Sequence, residues 1–478
     1  MLENDLFING EWLPSLTGAR FEIVDPGSGD IIGSGAQADA EDTLAAIRAA
    51  ESALTAWSAT APWERSRIVR RIGDEIGRRA DDIARHLTLE VGKPFAQAKG
   101  EVAGAIETFE WFADEARRVF GQVIPGRTSG QQIVTLPQAV GVVGAMTPWN
   151  FPVALMARKI APALAAGCTV VCRPAQEGST AVALMVECCA AAGVPAGVVN
   201  LLTGPPHAIS DTIMASETVR KITFTGSTAV GQHLMRKAAD TVKRMSMELG
   251  GHAPVLVFDD VDIEKTVRLS VTAKMRNSGQ VCTSPTRFYV HSSMVEQFTD
   301  AFSEQSRSLR MGHGLEPTTE IGPVVSEARC NALEKLTREA VQAGARLVTG
   351  GRRPAAPNKG FYFEPTVLAE VPNDASIMGI EPFGPIATIN GFDSEDEAIS
   401  LANSTPYGLG GYVFTGDMRK AQRVASKLRA GTIAVNGFQS ALPEGPFGGV
   451  GHSGFGRENG TQGILEFLDI KFINYMPE

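Results

Sequence analysis

The chain has 478 residues, more than one ordinary hydrophobic core accommodates, so two or three domains are expected. With 44% hydrophobic and 20% charged residues it has the balance of a globular protein. A net charge of −9 leaves no basic footprint, which argues against nucleic acid as a partner, and no apolar run approaches the roughly 20 residues that a bilayer crossing needs.

The opening segment, MLENDLFINGEWLP, lacks the basic-then-apolar layout of a secretory leader. Residues 7 to 35 read as short strands and turns, and helical patterning follows from about Asp39 to Phe112. Gly121 to Val140 is extended, in the manner of a hairpin or arm. Apolar strands then alternate with helices: VGVVGAM with VALMARKIAPALAAG, CTVVCRP with STAVALMVECCAAAG, GVVNLLTG with HAISDTIMAS, and KITFTGS with VGQHLMRKAAD. Such alternation indicates βαβ units and a mainly parallel sheet. A second α/β series runs from PVLVFDD through RFYVHS, ARLVTGG, IATINGF, YVFTG and TIAVNGF, with a boundary near Gly250–Gly251. The tail GILEFLDIKFINYM reads as an apolar strand, fit to join the 121–140 arm in an intersubunit sheet.

Six cysteines, at 168, 172, 188, 189, 282 and 330, show no paired spacing of a disulfide framework. Cys168 and Cys172 in CTVVC have a metal-like spacing, but strand alternation makes both core residues. No metal is expected, and a reducing cytoplasm is the natural setting.

Four local signals carry chemistry. FTGSTAVG, residues 224–231, passes from a strand through a tight turn at Gly226 and Ser227 into a helix near Gly231, and so aims backbone N–H groups at an anion. Its spacing departs from the usual dinucleotide fingerprint, and an ordinary strand–helix turn fits it equally well. Cys282 lies among Gly and polar residues in NSGQVCTS, where a nucleophilic thiol is favoured over a core cysteine. Glu248 in MELGGH is either a solvated surface carboxylate or a general base. Asn150 in TPWNFP stands at the carboxyl end of a strand, where its amide can stabilise an oxyanion or merely complete a turn.

Taken in order, TPWNFP, FTGSTAVG, MELGG, GQVC, EPFGP and PFGGVGHSGFGRE resemble the signature run of the aldehyde dehydrogenase superfamily along essentially the whole chain. The resemblance implies an α/β fold with three parts. These are a Rossmann-like parallel-sheet cofactor domain (1–120 and 141–250), an α/β catalytic domain (251–445), and a small β oligomerisation arm and tail (121–140 and 459–478). It implies a homodimer or homotetramer that oxidises a small-molecule aldehyde with NAD or NADP. Cys282 then resembles the nucleophile, Glu248 the general base, and Asn150 the oxyanion donor beside the Cys282 N–H, with Lys159 and Glu458 as a proton-relay pair. Gly226 and Ser227 would face the pyrophosphate, Glu381 the nicotinamide ribose and Phe383 its ring. Thr147, Pro148, Trp149, Arg173, Ala175, Gln176, Gly231 and Leu249 complete the expected cofactor side. Having Glu248 argues against the coenzyme A-acylating branch.

Where family members often carry Lys-Pro-Ser-Glu, this chain has Arg173-Pro174-Ala175-Gln176. Losing the Glu removes a charge that would repel a 2′-phosphate, and Arg173 offers a guanidinium, so NADP is expected to be accepted and even preferred. Arg158 and Arg276 match positions where succinate-semialdehyde dehydrogenases hold a carboxylate tail, although either alone is more simply a structural ion-pair partner. Phe151, Thr283, Ser440 and Phe447 are the other expected substrate contacts. A serine expected near the substrate is replaced by Ala441, with Ser440 one place away, and Phe438 and Leu442 are expected to shape a pocket for a longer or partly apolar chain. The rival readings are a dehydrogenase of neutral or aromatic aldehydes, a catalytically silent structural member of the fold, and a thiol hydrolase pairing Cys282 with His252.

Overall fold

The computed structural model describes residues 2–477. Its two large sheets follow the two α/β series. In the first, strands Arg244–Glu248, Val219–Thr225, Val142–Met146, Thr169–Arg173 and Val199–Leu201 lie parallel in that order. Leu6–Ile8 and Glu11–Leu13 extend one edge in antiparallel fashion, and Gly454–Phe455 closes the other against Met247 and Glu248.

Helices cover both faces, so the strand Val142–Met146 is buried at every position. Alternate side chains serve two separate cores. Val143, Ala145, Val170 and Cys172 pack with Phe109, Phe112 and Met156, while Val142, Met146 and Val171 pack with Ile47, Ile213 and Ile222. Cys168 and Cys172 are therefore core residues of one face, as strand alternation requires.

The second sheet has seven strands in the order Arg346–Thr349, Thr366–Ala369, Ile386–Phe392, Pro285–His291, Ala253–Val257, Gly410–Phe414 and Thr432–Val435. All are parallel to their neighbours except Arg346–Thr349. The strand Thr366–Ala369 was not anticipated, because four apolar-leaning residues between Pro365 and Pro372 show no period of their own. The chain crosses from one sheet to the other at Gly250–Gly251 and returns through Gly454–Phe455.

The arm forms as a hairpin of Gln122–Pro125 and Gln132–Ala139, which the tail strand Leu468–Tyr475 joins in antiparallel register. The tail is not one continuous strand. Gly460–Leu465 is a helix whose Ile464 reaches the first core, and only then does the strand begin. On this small sheet Val123, Ile470 and Phe472 are 73%, 62% and 62% exposed. No helix among the described residues is long and apolar enough to cross a membrane.

Phe112 joins the helix Phe95–Glu115 to this core and lies against the bare face of Gly463. Phe112→Ala should lower the unfolding free energy by about 3–5 kcal/mol in urea titration.

Candidate active site

Three loops leave the carboxyl ends of neighbouring parallel strands, where open α/β sheets place their ligands. They carry Thr147–Pro152, Thr225–Thr228 and Glu248–Gly251. A fourth loop, NSGQVC, meets them from the second sheet. Its Asn277, Ser278 and Gly279 all take left-handed φ values of 47°, 53° and 72°. A Cβ on Gly279 would lie 2.0 Å from the Gly384 carbonyl oxygen, so this turn needs glycine and seats the cysteine loop directly on the EPFGP loop.

Asn150 locks the first loop to the fourth. Its Nδ2 donates to the Gln280 carbonyl at 3.1 Å, and its own carbonyl accepts from Asn277 Nδ2 at 3.0 Å and Lys93 Nζ at 2.7 Å. Lys93 is fully buried and paired with Glu101 on the helix Phe95–Glu115. The other Glu101 oxygen accepts the backbone N–H groups of Val153 and Ala154 at 3.0 and 3.2 Å, at the start of the helix Pro152–Ala166. Sequence reading missed the Lys93–Glu101 pair, because nothing local in VGKP marks the lysine as buried.

Cys282 faces two hollows. One is a groove of about 440 Å³ lined by Pro148, Trp149, Asn150, Gly226, Ser227, Glu248, Leu249, Glu381 and Phe383, all anticipated, and by Arg329 and Tyr407, which were not. Only the tertiary fold places Arg329 there, since it lies in the first turn of a helix, Glu327–Gln342, that carries no motif. The groove suits a dinucleotide. Gly226 and the Ser227-capped helix Thr228–Ala238 open onto it, Glu381 Oε1 is buried with no hydrogen-bond partner, and Trp149 and Phe383 meet edge to face at 5.6 Å.

Thr147 and Gly231 stand behind the groove. The Thr147 N–H donates to Arg173 O at 3.1 Å, and Gly231 leaves room for the Leu249 side chain, which a Cβ would meet at 2.5 Å. Arg173, Ala175 and Gln176 lie on the next strand end, outside the groove lining. There Arg173 donates to the Gly204 carbonyl at 3.0 Å, so part of its guanidinium is already committed to the backbone.

The second hollow, about 220 Å³, lies on the other side of Cys282. Phe151, Arg158, Arg276, Thr283 and Phe447 line it as expected, together with Leu155, Ala441, Leu442 and Asn459. Arg158 and Arg276 each lie over an aromatic ring, Phe447 at 5.0 Å and Phe151 at 4.9 Å. Arg276 has no ion-pair partner among the described residues, and Arg158 comes within 4.0 Å of Glu458, which Lys159 already holds at 2.6 Å. Two expectations are corrected. Ser440 is not among the residues lining the cavity; its hydroxyl meets Tyr412 at 3.3 Å, and the lining begins one residue later, at Ala441. Phe438 packs on Tyr412 and Phe414 rather than on this cavity, and Leu442 alone of that pair lines it.

Burial dominates the electrostatics. Glu248 is 3% exposed with neither carboxylate oxygen hydrogen-bonded, and burial followed by the Glu458 charge pushes its pKa up to about 7. Burial likewise lifts Glu381 to about 8. Cys282 is held well above the usual thiol range by burial and then by the Glu248 and Glu381 charges. Lys159 donates to Thr225 Oγ1 at 2.8 Å as well as to Glu458, at the foot of the Glu248 strand. His252 spends both ring nitrogens elsewhere, on Thr286 at 2.7 Å and the Ile377 carbonyl at 2.9 Å, and so does not serve Cys282 as a base. No cluster of three or more metal-ligating side chains occurs among the described residues.

With this geometry in hand, comparison with known proteins gives the class. The aldehyde dehydrogenase family model matches residues 12–473, and the chain belongs to that family. It is 43% identical to a putative 4-(hydroxymethyl)benzenesulfonate dehydrogenase of Comamonas testosteroni, over 99% of this chain and 98% of that one. It is 39% identical, with the same coverage, to the NADP-dependent succinate-semialdehyde dehydrogenase of Escherichia coli K12. A crystal structure of betaine aldehyde dehydrogenase from Staphylococcus aureus with NAD+ superposes with a TM-score of 0.97 at 34% identity, covering 98% of this chain and 94% of that one. The protein is thus an aldehyde-oxidising enzyme with the aldehyde dehydrogenase fold.

Because its thiol is held above the ordinary value of 9.0, Cys282 of the ligand-free protein should alkylate slowly with iodoacetamide at neutral pH, its rate still climbing beyond pH 9. Removing the neighbouring charge in Glu248→Gln should move that profile to lower pH; an unshifted profile would sink the electrostatic account.

Proposed function

We propose that this enzyme oxidises an aldehyde whose far end carries an anion, in the first instance a carboxylate-ended semialdehyde such as succinate semialdehyde, to the acid through a thioester on Cys282. The observation that carries the reading is the pair of guanidiniums, Arg158 and Arg276, facing the cavity that holds Cys282, with Arg276 lacking any ion-pair partner among the described residues. Cations held so close together call for an anion between them. The names of the Escherichia coli relative and of the Comamonas relative fit this, since one denotes a carboxylate-ended aldehyde and the other a sulfonate-bearing compound.

The cofactor is NAD or NADP, and when bound in the groove its nicotinamide ring supplies the hydride acceptor. Cys282, part-exposed to the cavity, gives up its proton to solvent and adds as thiolate to the aldehyde carbon. Asn150 Nδ2 has one hydrogen left beyond its bond to Gln280 and, with the Cys282 N–H, holds the oxyanion. Loss of hydride from that carbon leaves the thioester. Glu248 then takes a proton from water, whose hydroxide displaces the cysteine sulfur and releases the carboxylic acid. Lys159, which donates to Glu458 at 2.6 Å, and Glu458, whose charge acts on Glu248, form the relay of this reading for the proton that Glu248 collects. Pro148, Trp149, Gly226, Ser227, Leu249, Glu381 and Phe383 are the cofactor contacts of this reading, with Thr147 and Gly231 supporting them from behind. Arg173, Ala175 and Gln176 lie further along the sheet edge, towards the adenosine end. We place 1–120 and 141–250 in the cofactor domain, 251–445 in the catalytic domain, and 121–140 with 459–478 in an arm. The exposed Val123, Ile470 and Phe472 support a homodimer or homotetramer built on that arm, and we place the enzyme in the cytoplasm.

The reading is tested by initial rates with succinate semialdehyde and butanal, each with NAD and NADP. The semialdehyde should win by about a hundredfold, roughly 3 kcal/mol, and Arg276→Met should erase most of that margin. If butanal is as good a substrate, the arginines serve structure alone.

Glu248 accepts a proton only when ionised, and its raised pKa keeps it protonated below about 7. Turnover should therefore fall as pH drops through 7. Glu248→Gln should lose about 10²–10⁴-fold in kcat while still giving one reduced cofactor per site in a rapid burst.

A further inference from the structure

One wall of the aldehyde cavity is the helix Phe95–Glu115, and it presents glycine there twice, at Gly100 and Gly104. Glycine weakens a helix interior relative to alanine, and residues four apart share a face. Most glycines whose side is closed by packing betray it: a Cβ on Gly463 would meet the Phe112 ring at 2.9 Å, and one on Gly73 would touch Ile106 at 3.6 Å. A Cβ on Gly100 or on Gly104 would meet nothing within 4 Å. Both residues line the cavity that holds Cys282, Arg158 and Arg276, Gly100 at its solvent-exposed side and Gly104 half-buried. Packing thus does not require these glycines.

From Gly100 to Gly104 the helix advances about 6 Å, close to the breadth of an aromatic ring. Ala154, whose N–H meets Glu101 on the glycine-bearing helix, is also small, and Phe151 and Phe447 line the same space. A separate observation points to a ligand in the same hollow. Asn459 is 1% exposed, lines the cavity, and has an Oδ1 with no hydrogen-bond partner.

We propose that Gly100 and Gly104 determine specificity, their bare helix face widening the cavity so that it accepts a ring-bearing aldehyde with an anionic tail as well as a short aliphatic one. This rests on the anionic-aldehyde reading above. The ring lies against the two glycines with its aldehyde at Cys282 and its anion towards Arg158 and Arg276, away from the Glu107 carboxylate on the same helix.

The test compares kcat/KM for 4-carboxybenzaldehyde, benzaldehyde and succinate semialdehyde in the wild type, Gly100→Leu and Gly104→Leu, at saturating cofactor. Gly104→Ala serves as the folding control and should raise Tm. The wild type should use 4-carboxybenzaldehyde within about tenfold of succinate semialdehyde. Either leucine should cut the 4-carboxybenzaldehyde value at least about tenfold through KM, leaving succinate semialdehyde within about threefold. The proposal is overturned if the wild type rejects 4-carboxybenzaldehyde, or if the leucines affect both anionic substrates alike or neither. Failure of the anion reading looks different: benzaldehyde would then match its carboxylated analogue in the wild type, whatever the leucines do.

Discussion

The buried pair of Lys93 and Glu101 is the contact on which the site depends. One ion pair fastens three pieces of chain: the helix Phe95–Glu115, the N-terminus of the helix Pro152–Ala166, and the carbonyl of Asn150. Through Asn150 it reaches Asn277 and Gln280, and so the turn that presents Cys282. Burial pulls the Lys93 pKa down, opposed by the Glu101 charge, and the Nζ is surrounded by its carboxylate partner and the Asn150 carbonyl. A hydrophobic replacement could fill that volume, but it could not orient a carbonyl and two backbone N–H groups at once.

Around this fixed frame the reacting groups are crowded and poorly solvated. Burial raises the pKa of Glu248, Glu381 and Cys282; the Glu458 charge adds to the rise at Glu248, the Glu248 charge to that at Glu381, and both the Glu248 and Glu381 charges to that at Cys282. Three acids that resist ionisation together keep the thiol quiet at rest and hold Glu248 near the pH at which a base both binds and releases a proton readily. On the substrate side the sign reverses, with Arg158 and Arg276 facing the space. The contrast is not complete, since Glu101 and Glu107 also line that cavity and Arg329 the groove.

Much of this was legible in the chain because it is written in local pattern. Alternating strands and helices announce a parallel sheet, and glycine-rich turns at strand ends mark where a ligand approaches. Cys282 stood out because a polar, glycine-rich neighbourhood is unusual for a cysteine, whereas Glu248 and Asn150 stood out only through their place in the family's run of motifs. Lys93, Arg329, Gly100 and Gly104 did not, because a helix residue's neighbours across 50 or more positions leave no trace in its own segment. The same blindness affected the loop after Phe438, where one residue of register decides whether Ser440 or Ala441 faces the cavity.

By itself, then, the sequence determined the order of elements and the fold class, since periodicity and turn chemistry are properties of short segments, while its family resemblance supplied the candidates for the reacting groups. Tertiary structure alone decided which charges are paired and which are free. Arg158 approaches a carboxylate while Arg276 does not, and Arg173 is partly spent on a backbone carbonyl. It also decided that two helix glycines border open space and that Glu248 is buried enough to titrate near neutrality. These are properties of distance and solvent exclusion, which arise only when remote segments meet.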